Sequence, residues 1–357
     1  MRIVITAPSL DEDRNVSGIS TIVRQIIENS SNQFSHFKAG REDGEAAGIR
    51  WMARQALLPF RFYAFLRRIR PSLVHINTAM TDLSIWRDLA LSKAAARAGI
   101  PVVLALHGGK YLVNQFDSVR LESAASSMLG SAKLVVVYSE LEKRVVNARW
   151  PNLDIRVLAN AVPFREGSQA ATANEPPVII FFGRLHESKG LDEIVKASAA
   201  LRQDGFDFRL ACFGDGPMRE AFLKNISEVL GDRFRYGGVL KGEAKFNELE
   251  KADIFLLPSI YGEGLPMAML EAMASGCVVV ASEMASVAAV IDDGVNGYLI
   301  EPGNTNQLVS RMKMILSSRS EWKPIQEAAI DTVRRKFSVP DYIEKLEAIY
   351  TSASAKK

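Results

Sequence analysis

Two acidic side chains eight positions apart, Glu263 and Glu271, have the spacing in this chain that is best suited to chemistry. They lie in the stretch 254–282, which has the pattern of a buried strand, a glycine-bearing turn, a short helix and a second buried strand. Pro266 suits the first turn of that helix and Gly276 suits its exit. Because a helix N-terminus presents unpaired N–H groups and a positive dipole end, it can hold a phosphate between the two carboxylates. The alternative is that both are solvated charges on a surface helix.

A pair of cations follows another predicted strand, Val178–Phe182. Arg184 and Lys189 lie in the loop 183–190, and the lysine lies where a helix should begin. A departing nucleoside diphosphate gains negative charge, which an arginine fork and a lysine ammonium can neutralise in a water-poor cleft. A lysine at a helix N-terminus opposes the dipole, so a bound anion would help to explain it. For the loop taken alone, two surface cations remain the default interpretation.

A histidine, His107, directly follows the predicted strand 101–106. Polar side chains at the carboxyl ends of parallel strands face the ligand crevice, so His107 is a better candidate than His36 or His186. The alternative is that His107 only hydrogen-bonds a neighbouring loop.

The elements that must position these residues alternate between strands and helices, which predicts an α/β chain with doubly wound parallel sheets. The first unit opens with the strand Met1–Thr6, the loop Pro8–Ser17 and an amphipathic helix that starts at Gly18. The three-glycine dinucleotide fingerprint is absent. Pro163–Pro177 has linker composition, and at 357 residues the chain is long enough for two domains.

Composition excludes several classes of function. A net charge of +3 does not by itself favour nucleic acid, and we predict no nucleic-acid partner. Cys212 and Cys277 lie in apolar runs, so buried, reduced thiols are expected, and no metal-ligand spacing occurs. No apolar run reaches the ~18 residues of a membrane span, and MRIVITAPSL is a short strand rather than a cleavable apolar segment. We therefore expect a cytoplasmic protein.

The segment Arg50–Arg70 mixes arginines with aromatic residues and contains no acidic residue. Such a helix suits an anionic membrane surface, and we expect peripheral contact at the inner face of the cell membrane. The alternative is a helix that packs its aromatic residues inward and holds its arginines outward. Nucleic acid is a weaker third option, because the rest of the chain has no basic stripe.

The sequence around the two glutamates resembles the signature of the retaining, nucleotide-sugar-dependent glycosyltransferases of family 4 (glycosyl transferases group 1), which have the GT-B fold. In that family two glutamates are separated by seven residues. The matching segments, in order, are Glu263-Gly264-Leu265-Pro266, Leu270-Glu271-Ala272-Met273-Ala274 and Gly276-Cys277-Val278-Val279-Val280-Ala281-Ser282.

The resemblance implies two Rossmann-like doubly wound domains that face each other across a cleft. Residues 1–163 would form the acceptor-binding domain, with the C-terminal helix 341–357 packing back on it. Residues 164–340 would form the nucleotide-sugar-binding domain.

The resemblance also implies roles for individual residues. Arg184 and Lys189 would clamp the diphosphate, Glu263 would bind the donor sugar, and Glu271 would take the ribose. His107 would lie near the donor sugar and the acceptor. The backbone around the donor would come from Gly18, Gly183, Gly214, Gly264, Leu265 and Pro266.

The chain departs from the family in two places. Ser17-Gly18 stands where relatives often carry a glycine pair, and Ala285-Ser286 followed by Ala289 replaces two glycines and a glutamate. Sugar recognition is therefore expected to differ from that of relatives.

The implied function is the transfer of a hexosyl unit from a UDP- or GDP-sugar to a hydroxyl of a saccharide, expected to be lipid-linked, in bacterial cell-surface polysaccharide synthesis. No metal or other cofactor is expected. Two alternatives stay open: a nucleotide-sugar epimerase or phosphorylase, and a non-catalytic nucleotide-sugar-binding subunit of the same fold.

Overall fold

A computed structural model describes residues 1–15, 17–42, 45, 48–165, 174–261, 263–284 and 286–355. The chain forms two compact units, one of residues 1–160 with 339–357 and one of residues 161–338. Each unit contains a six-stranded parallel sheet with helices packed around it, so the predicted pair of doubly wound α/β domains is confirmed. Of the predicted linker Pro163–Pro177, residues 166–173 lie outside the described residues.

The first unit has the strand order β2-β1-β3-β4-β5-β6. Its core is the apolar face that its central strands present to the helices; β3, for example, is buried along its whole length. The elements are β1 (Arg2–Ala7), α1 (Gly18–Asn29), β2 (Gln33–Lys38), α2 (Ile49–Ile69), β3 (Leu73–Thr78), α3 (Asp82–Arg97), β4 (Val102–Leu106), α4 (Lys110–Val113), α5 (Val119–Gly130), β5 (Leu134–Val137), α6 (Glu140–Arg149) and β6 (Ile155–Val157), with α13 (Val339–Ser354) returning to this unit.

The second unit has the strand order β12-β11-β10-β7-β8-β9. Short 3₁₀ turns accompany its helices at Glu187–Lys189, Gly231–Arg233 and Arg319–Glu321. The elements are β7 (Val178–Phe182), α7 (Leu191–Gln203), β8 (Arg209–Phe213), α8 (Arg219–Leu230), β9 (Phe234–Tyr236), α9 (Gly242–Leu249), β10 (Ile254–Leu257), α10 (Met267–Ala274), β11 (Val278–Ser282), β12 (Tyr298–Ile300), α11 (Thr305–Ser317) and α12 (Trp322–Lys336).

The stretch 254–282 has the predicted succession of elements. β10 and β11 are adjacent parallel strands, both fully buried, and α10 connects them. Pro266 immediately precedes α10, and Gly276 follows it with a left-handed φ of 80°, which a residue with a Cβ rarely adopts.

The C-terminal helix starts earlier than predicted. The prediction places it at 341–357, whereas α13 runs from Val339 to Ser354. Pro340 fits in the first turn of this helix, where its missing N–H has no intrahelical partner to lose.

Candidate donor site in the second unit and a polar row in the first

The candidate residues of the second unit lie where its strand order reverses. β7 neighbours β8 on one side and β10 on the other, so the chain leaves the carboxyl ends of β7 and β10 in opposite directions. Such a switch point opens a crevice in which α/β sheets bind ligands. Arg184 and Lys189 lie in the loop after β7, and Glu263 lies in the loop after β10.

Backbone contacts fix these two loops against each other. The Ile260 N–H donates to the Ser188 carbonyl at 2.7 Å. On the other side of the β7 loop, the Leu185 N–H donates to the Asp215 carbonyl at 2.9 Å, and Gly183 donates to Phe213 at 3.1 Å. The loops after β10, β7 and β8 therefore form one continuous rim at the carboxyl edge of the sheet.

Gly214, one of the predicted donor-binding glycines, is required by this close packing. A Cβ on Gly214 would lie 1.8 Å from the Gly183 carbonyl oxygen, and its φ of +130° is strained for other residues. Gly264 lies in the turn between β10 and α10, where Leu265 and Pro266 are buried.

The Lys189 ammonium and the Glu263 carboxylate form an ion pair at this rim. The Ser259 hydroxyl donates to the same carboxylate oxygen, Oε1, at 2.5 Å. Both members of the pair are largely shielded from water, since 20% of the lysine side chain and 9% of the glutamate side chain are exposed. The cation and the carboxylate are therefore held in place by contacts within the protein.

Arg184 differs from Lys189 because it is exposed. Among the described residues it has no ion-pair partner, and it lies at the start of the same loop.

Glu271 is buried on α10, and Lys245 of α9 donates to its Oε1 atom. Burial raises the pKa of Glu271, and the adjacent Lys245 ammonium opposes that rise. The interpretation of Glu271 as a solvated surface charge is therefore wrong.

In the first unit, polar side chains form a hydrogen-bonded row across the carboxyl ends of four neighbouring strands. Asn77 of β3 donates through Nδ2 to the Thr6 carbonyl of β1 at 2.8 Å. His107, which follows β4, contacts Asn77 Oδ1 through Nε2 at 2.6 Å. The Tyr138 hydroxyl, which follows β5, contacts His107 Nδ1.

This row defines the protonation of His107. Because Asn77 uses its amide N–H as a donor, its oxygen accepts, and Nε2 of His107 must carry the proton. Nδ1 is then free to accept from Tyr138. Burial, with the neighbouring His75 as a smaller cause, lowers the pKa of His107 to about 3. Both ring nitrogens are engaged within the protein, so any ligand of His107 would have to replace Asn77 or Tyr138.

Gly18 is the first residue of α1, and Ser17 caps the helix by accepting from the Ser20 N–H at 3.3 Å. Gly18 and His107 belong to the first unit, whereas the remaining candidates belong to the second. In the segment 285–289, where the sequence departs from family 4, Ala285 lies outside the described residues, while Ser286 is buried.

Three side chains of these two sites were missed by the sequence analysis: Ser259, Lys245 and Tyr138. Ser259 lies four residues before Glu263, so its closeness in the sequence could have indicated that it contacts the glutamate. Lys245 gave no signal, because its partner lies 26 positions away, and Tyr138 looked like the apolar end of a strand.

Both cysteines are buried free thiols, as predicted. Within the described ranges, no cluster of three or more histidine, cysteine, aspartate or glutamate side chains has a metal-binding arrangement. No helix among the described residues combines the length and apolar character needed to cross a bilayer.

Models of two glycosyltransferase families match the chain. The model described as Glycosyltransferase Family 4 matches residues 45–166, and the model described as Glycosyl transferases group 1 matches residues 176–318. The second match includes the loops after β7, β8 and β10.

Curated relatives are similar over part or most of the chain. The 2-deoxystreptamine glucosyltransferase of Streptomyces kanamyceticus is 32% identical over 70% of this chain and 70% of its own length. The amylovoran biosynthesis glycosyltransferase AmsK of Erwinia amylovora is 31% identical over 46% of this chain. That match covers 42% of AmsK, so the chain spans less than half the length of this relative.

Among solved structures, the Anabaena protein HepE in complex with UDP-glucose has a TM-score of 0.77 at 17% identity. The match covers 99% of this chain and 100% of HepE, which shows that the two Rossmann-like domains have the GT-B fold.

Proposed function

Because the chain belongs to glycosyltransferase family 4, we propose that it is a retaining enzyme that transfers a hexosyl unit from a nucleoside-diphosphate sugar to a saccharide hydroxyl. The observation that carries the proposal is the gathering of Arg184, Lys189 and Glu263 on adjacent loops at the switch point of the second sheet. HepE, which has the same fold, was solved with UDP-glucose.

In this proposal the second unit holds the donor. Arg184 and Lys189 bind the diphosphate, Glu263 accepts hydrogen bonds from hydroxyls of the sugar, and Glu271 accepts them from the ribose. A carboxylate that holds a diol makes charge-assisted hydrogen bonds, which are about twice as strong as neutral ones. When the donor binds, Lys189 turns from Glu263 towards phosphate oxygens, and both groups gain a ligand contact.

The reaction we propose is attack on the same face of the sugar that the diphosphate leaves. The bond between the anomeric carbon and the phosphate oxygen breaks, and a bond from the acceptor oxygen to that carbon forms. The acceptor proton passes to the leaving phosphate. The cations stabilise charge that grows on the diphosphate, so the proposal needs no metal ion or other cofactor. His107 positions the sugar or the acceptor as a neutral imidazole.

The function is tested by screening UDP- and GDP-sugars for release of nucleoside diphosphate in the presence of lipid extract. Arg184→Ala and Lys189→Ala are each expected to lower kcat by about 100-fold or more, because each removes a preorganised charge. Arg219→Ala is a matched control, since this exposed arginine pairs with Asp215. Near-normal turnover in both variants would reject the assignment. Donor isomerisation without acceptor would indicate an epimerase, and dependence on phosphate would indicate a phosphorylase.

The acceptor is proposed to be a lipid-linked saccharide in the assembly of a bacterial cell-surface polysaccharide. AmsK, which is named for amylovoran biosynthesis, supports this class of pathway. Product analysis after the donor screen, by extraction into organic solvent, tests whether the labelled sugar partitions with lipid.

A peripheral membrane contact through α2 is part of the same proposal. Leu58, Phe62 and Leu66 are buried in the core of the first unit, so part of this helix packs inward. On the opposite face Phe60 is 75% exposed and Leu57 is 57% exposed. The exposed arginines of α2 are Arg54, Arg61, Arg67 and Arg68, and the side chain of Arg50 lies outside the described residues. Apolar side chains bordered by cations are typical of helices that lie in an anionic lipid interface.

Co-sedimentation with vesicles tests this contact. Burying a leucine or phenylalanine contributes about 1.5–3 kcal/mol, so the double variant Leu57→Ser, Phe60→Ser should bind phosphatidylglycerol-containing vesicles at least tenfold more weakly. Val119→Ser is the matched control, because Val119 is an exposed apolar residue at the start of α5. Equal binding of all three proteins would contradict the proposal.

A further inference from the structure

Lys245 lies against Glu271, the carboxylate to which the proposed function assigns the ribose. The two residues come from different helices, α9 and α10, so only the fold brings them together. Both side chains are shielded from water, with 14% of the lysine and 3% of the glutamate exposed.

The surroundings of Lys245 hold its ammonium group in place. Its Nζ lies 5.8 Å from the centre of the Phe182 ring and 5.4 Å from the centre of the Phe246 ring. Both distances fall within the range of cation–π attraction, which is stronger for a desolvated ammonium. Phe182 is the last residue of β7, so this pocket adjoins the loop that carries Arg184 and Lys189.

A largely buried ion pair of this kind is not an efficient way to stabilise a fold. Removing two charges from water costs several kcal/mol per ion, and apolar residues of similar volume are often at least as stabilising. The Lys245 ammonium does, however, favour the ionised form of a carboxylate whose pKa is raised by burial.

The geometry leaves room for a ligand on the same carboxylate. Lys245 contacts Oε1 of Glu271. An ionised carboxylate has two oxygens and about four acceptor positions, so further donors can bind while the lysine stays in place. A ribose presents two adjacent hydroxyl donors.

We propose that Lys245 is a positioning residue for the nucleotide, which holds Glu271 as a fixed, ionised acceptor for the ribose diol. This inference rests on the proposed function, because it takes Glu271 as the ribose-binding group. It adds a residue outside the motif segments 263–266, 270–274 and 276–282.

Calorimetric titration with UDP, and with GDP if UDP does not bind, tests the inference. Lys245→Met keeps the length of the side chain and removes its charge. It should weaken nucleotide binding about tenfold or more, because a hydrogen bond to an oriented charged group is lost. Lys245→Arg should bind within about threefold of the wild type. A purely structural role would lower the binding stoichiometry and leave the dissociation constant unchanged.

Two further variants complete the experiment. Lys251→Met removes an exposed lysine that pairs with Glu248 and should bind as the wild type does. Because Lys245 acts through Glu271, the double variant Lys245→Met, Glu271→Gln should bind no more weakly than Glu271→Gln alone. Lys245→Gln is measured in parallel, so that a folding defect of the methionine variant does not decide the result. The inference requires that Lys245→Gln also binds the nucleotide more weakly than the wild type.

The outcomes separate this inference from the proposed function. If Glu271→Gln weakens binding but Lys245→Met and Lys245→Gln do not, or if the two effects add, the role of Lys245 is overturned and the donor site stands. If Glu271→Gln leaves nucleotide affinity unchanged, the ribose assignment itself fails, and the role of Lys245 fails with it.

Discussion

The Cα of Gly190 packs against the carbonyl group of Pro258 so closely that a Cβ on the glycine would lie 2.0 Å from the carbonyl oxygen. Gly190 also has a left-handed φ of +68°. The contact joins the loop after β7 to the loop after β10, and Lys189 immediately precedes it. The ion pair between Lys189 and Glu263 therefore depends on a position that accepts only glycine.

Gly190→Ala should destabilise the protein by roughly 3 kcal/mol, since it adds left-handed strain of about 1–2 kcal/mol to an overpacking cost of similar size. Gly205→Ala is the control: Gly205 has a φ of +83° but no other heavy atom within 4 Å of the added Cβ, so it should cost only the strain. Urea unfolding measures the free energy of unfolding of both variants. Equal losses in the two variants would show that the contact with Pro258 relaxes without cost.

Glu263→Gln should lower kcat/KM by about 100-fold or more without loss of fold, because it removes the charged acceptor proposed for the donor sugar. The neutral amide can still pack beside Ser259 and Lys189. The control variant is Glu187→Gln. Glu187 lies in the same rim, and its exposed carboxylate accepts a hydrogen bond from the Tyr261 hydroxyl at 2.5 Å. Release of nucleoside diphosphate is measured, and activity within threefold of the wild type would remove Glu263 from the site.

His75 should make the first unit less stable in mild acid. It is 2% exposed, and burial lowers its pKa from 6.5 to about 3. Below pH 6.5 the His75 imidazole therefore binds a proton in the unfolded chain but not in the folded protein. This contribution to stability is fully present above pH 6.5 and is lost as the pH falls towards 3, at up to about 1.4 kcal/mol per pH unit.

The variant His75→Asn isolates this effect, because an amide can keep the contact that Nδ1 makes with the Tyr350 hydroxyl at 2.7 Å. Its free energy of unfolding should fall less steeply between pH 6.5 and 5 than that of the wild type. His36 titrates equally in both proteins and cancels. The variant also loses the smaller contribution that His75 makes to the lowered pKa of His107, which reduces the pH dependence in the same direction. Parallel curves would mean that His75 is protonated in the folded state.

Tyr138→Phe should destabilise the protein without changing the tautomer of His107. In the wild type we expect a neutral ring with the proton on Nε2 across pH 5–8, because Asn77 accepts from Nε2, Tyr138 donates to Nδ1 and burial lowers the pKa. The variant should keep the proton on Nε2, because Asn77 still accepts from that nitrogen, and should lose about 1–3 kcal/mol of stability from the unsatisfied Nδ1. Nitrogen-15 NMR of the histidine ring reports which nitrogen carries the proton, and urea unfolding measures the loss of stability. A mixture of tautomers in the variant would show that Asn77 alone does not fix the position of the proton.

Local sequence patterns were sufficient for the repeated strand–helix units and for the loops after β7 and β10. Continuous apolar runs such as Val278–Ser282 report a strand buried on both faces, and glycine and proline mark where it stops. The same reasoning missed β2 at the sheet edge, because Gln33–Lys38 is polar and only partly buried. It also left three interpretations of α2 open, and the structure supports inward packing for part of the helix, because Phe62 is buried whereas Phe60 is exposed.

What the sequence determined by itself is therefore the family, the α/β class and the loops that carry Arg184, Lys189 and Glu263, since each depends on residues close together in the chain. Only the tertiary structure decided that Lys189 pairs with Glu263 across 74 positions and Lys245 with Glu271 across 26. Those pairings depend on the strand order and on how deeply each helix is buried. Local sequence periodicity specifies neither the strand order nor the pairing of charges, because burial and electrostatic pairing are properties of the packed chain.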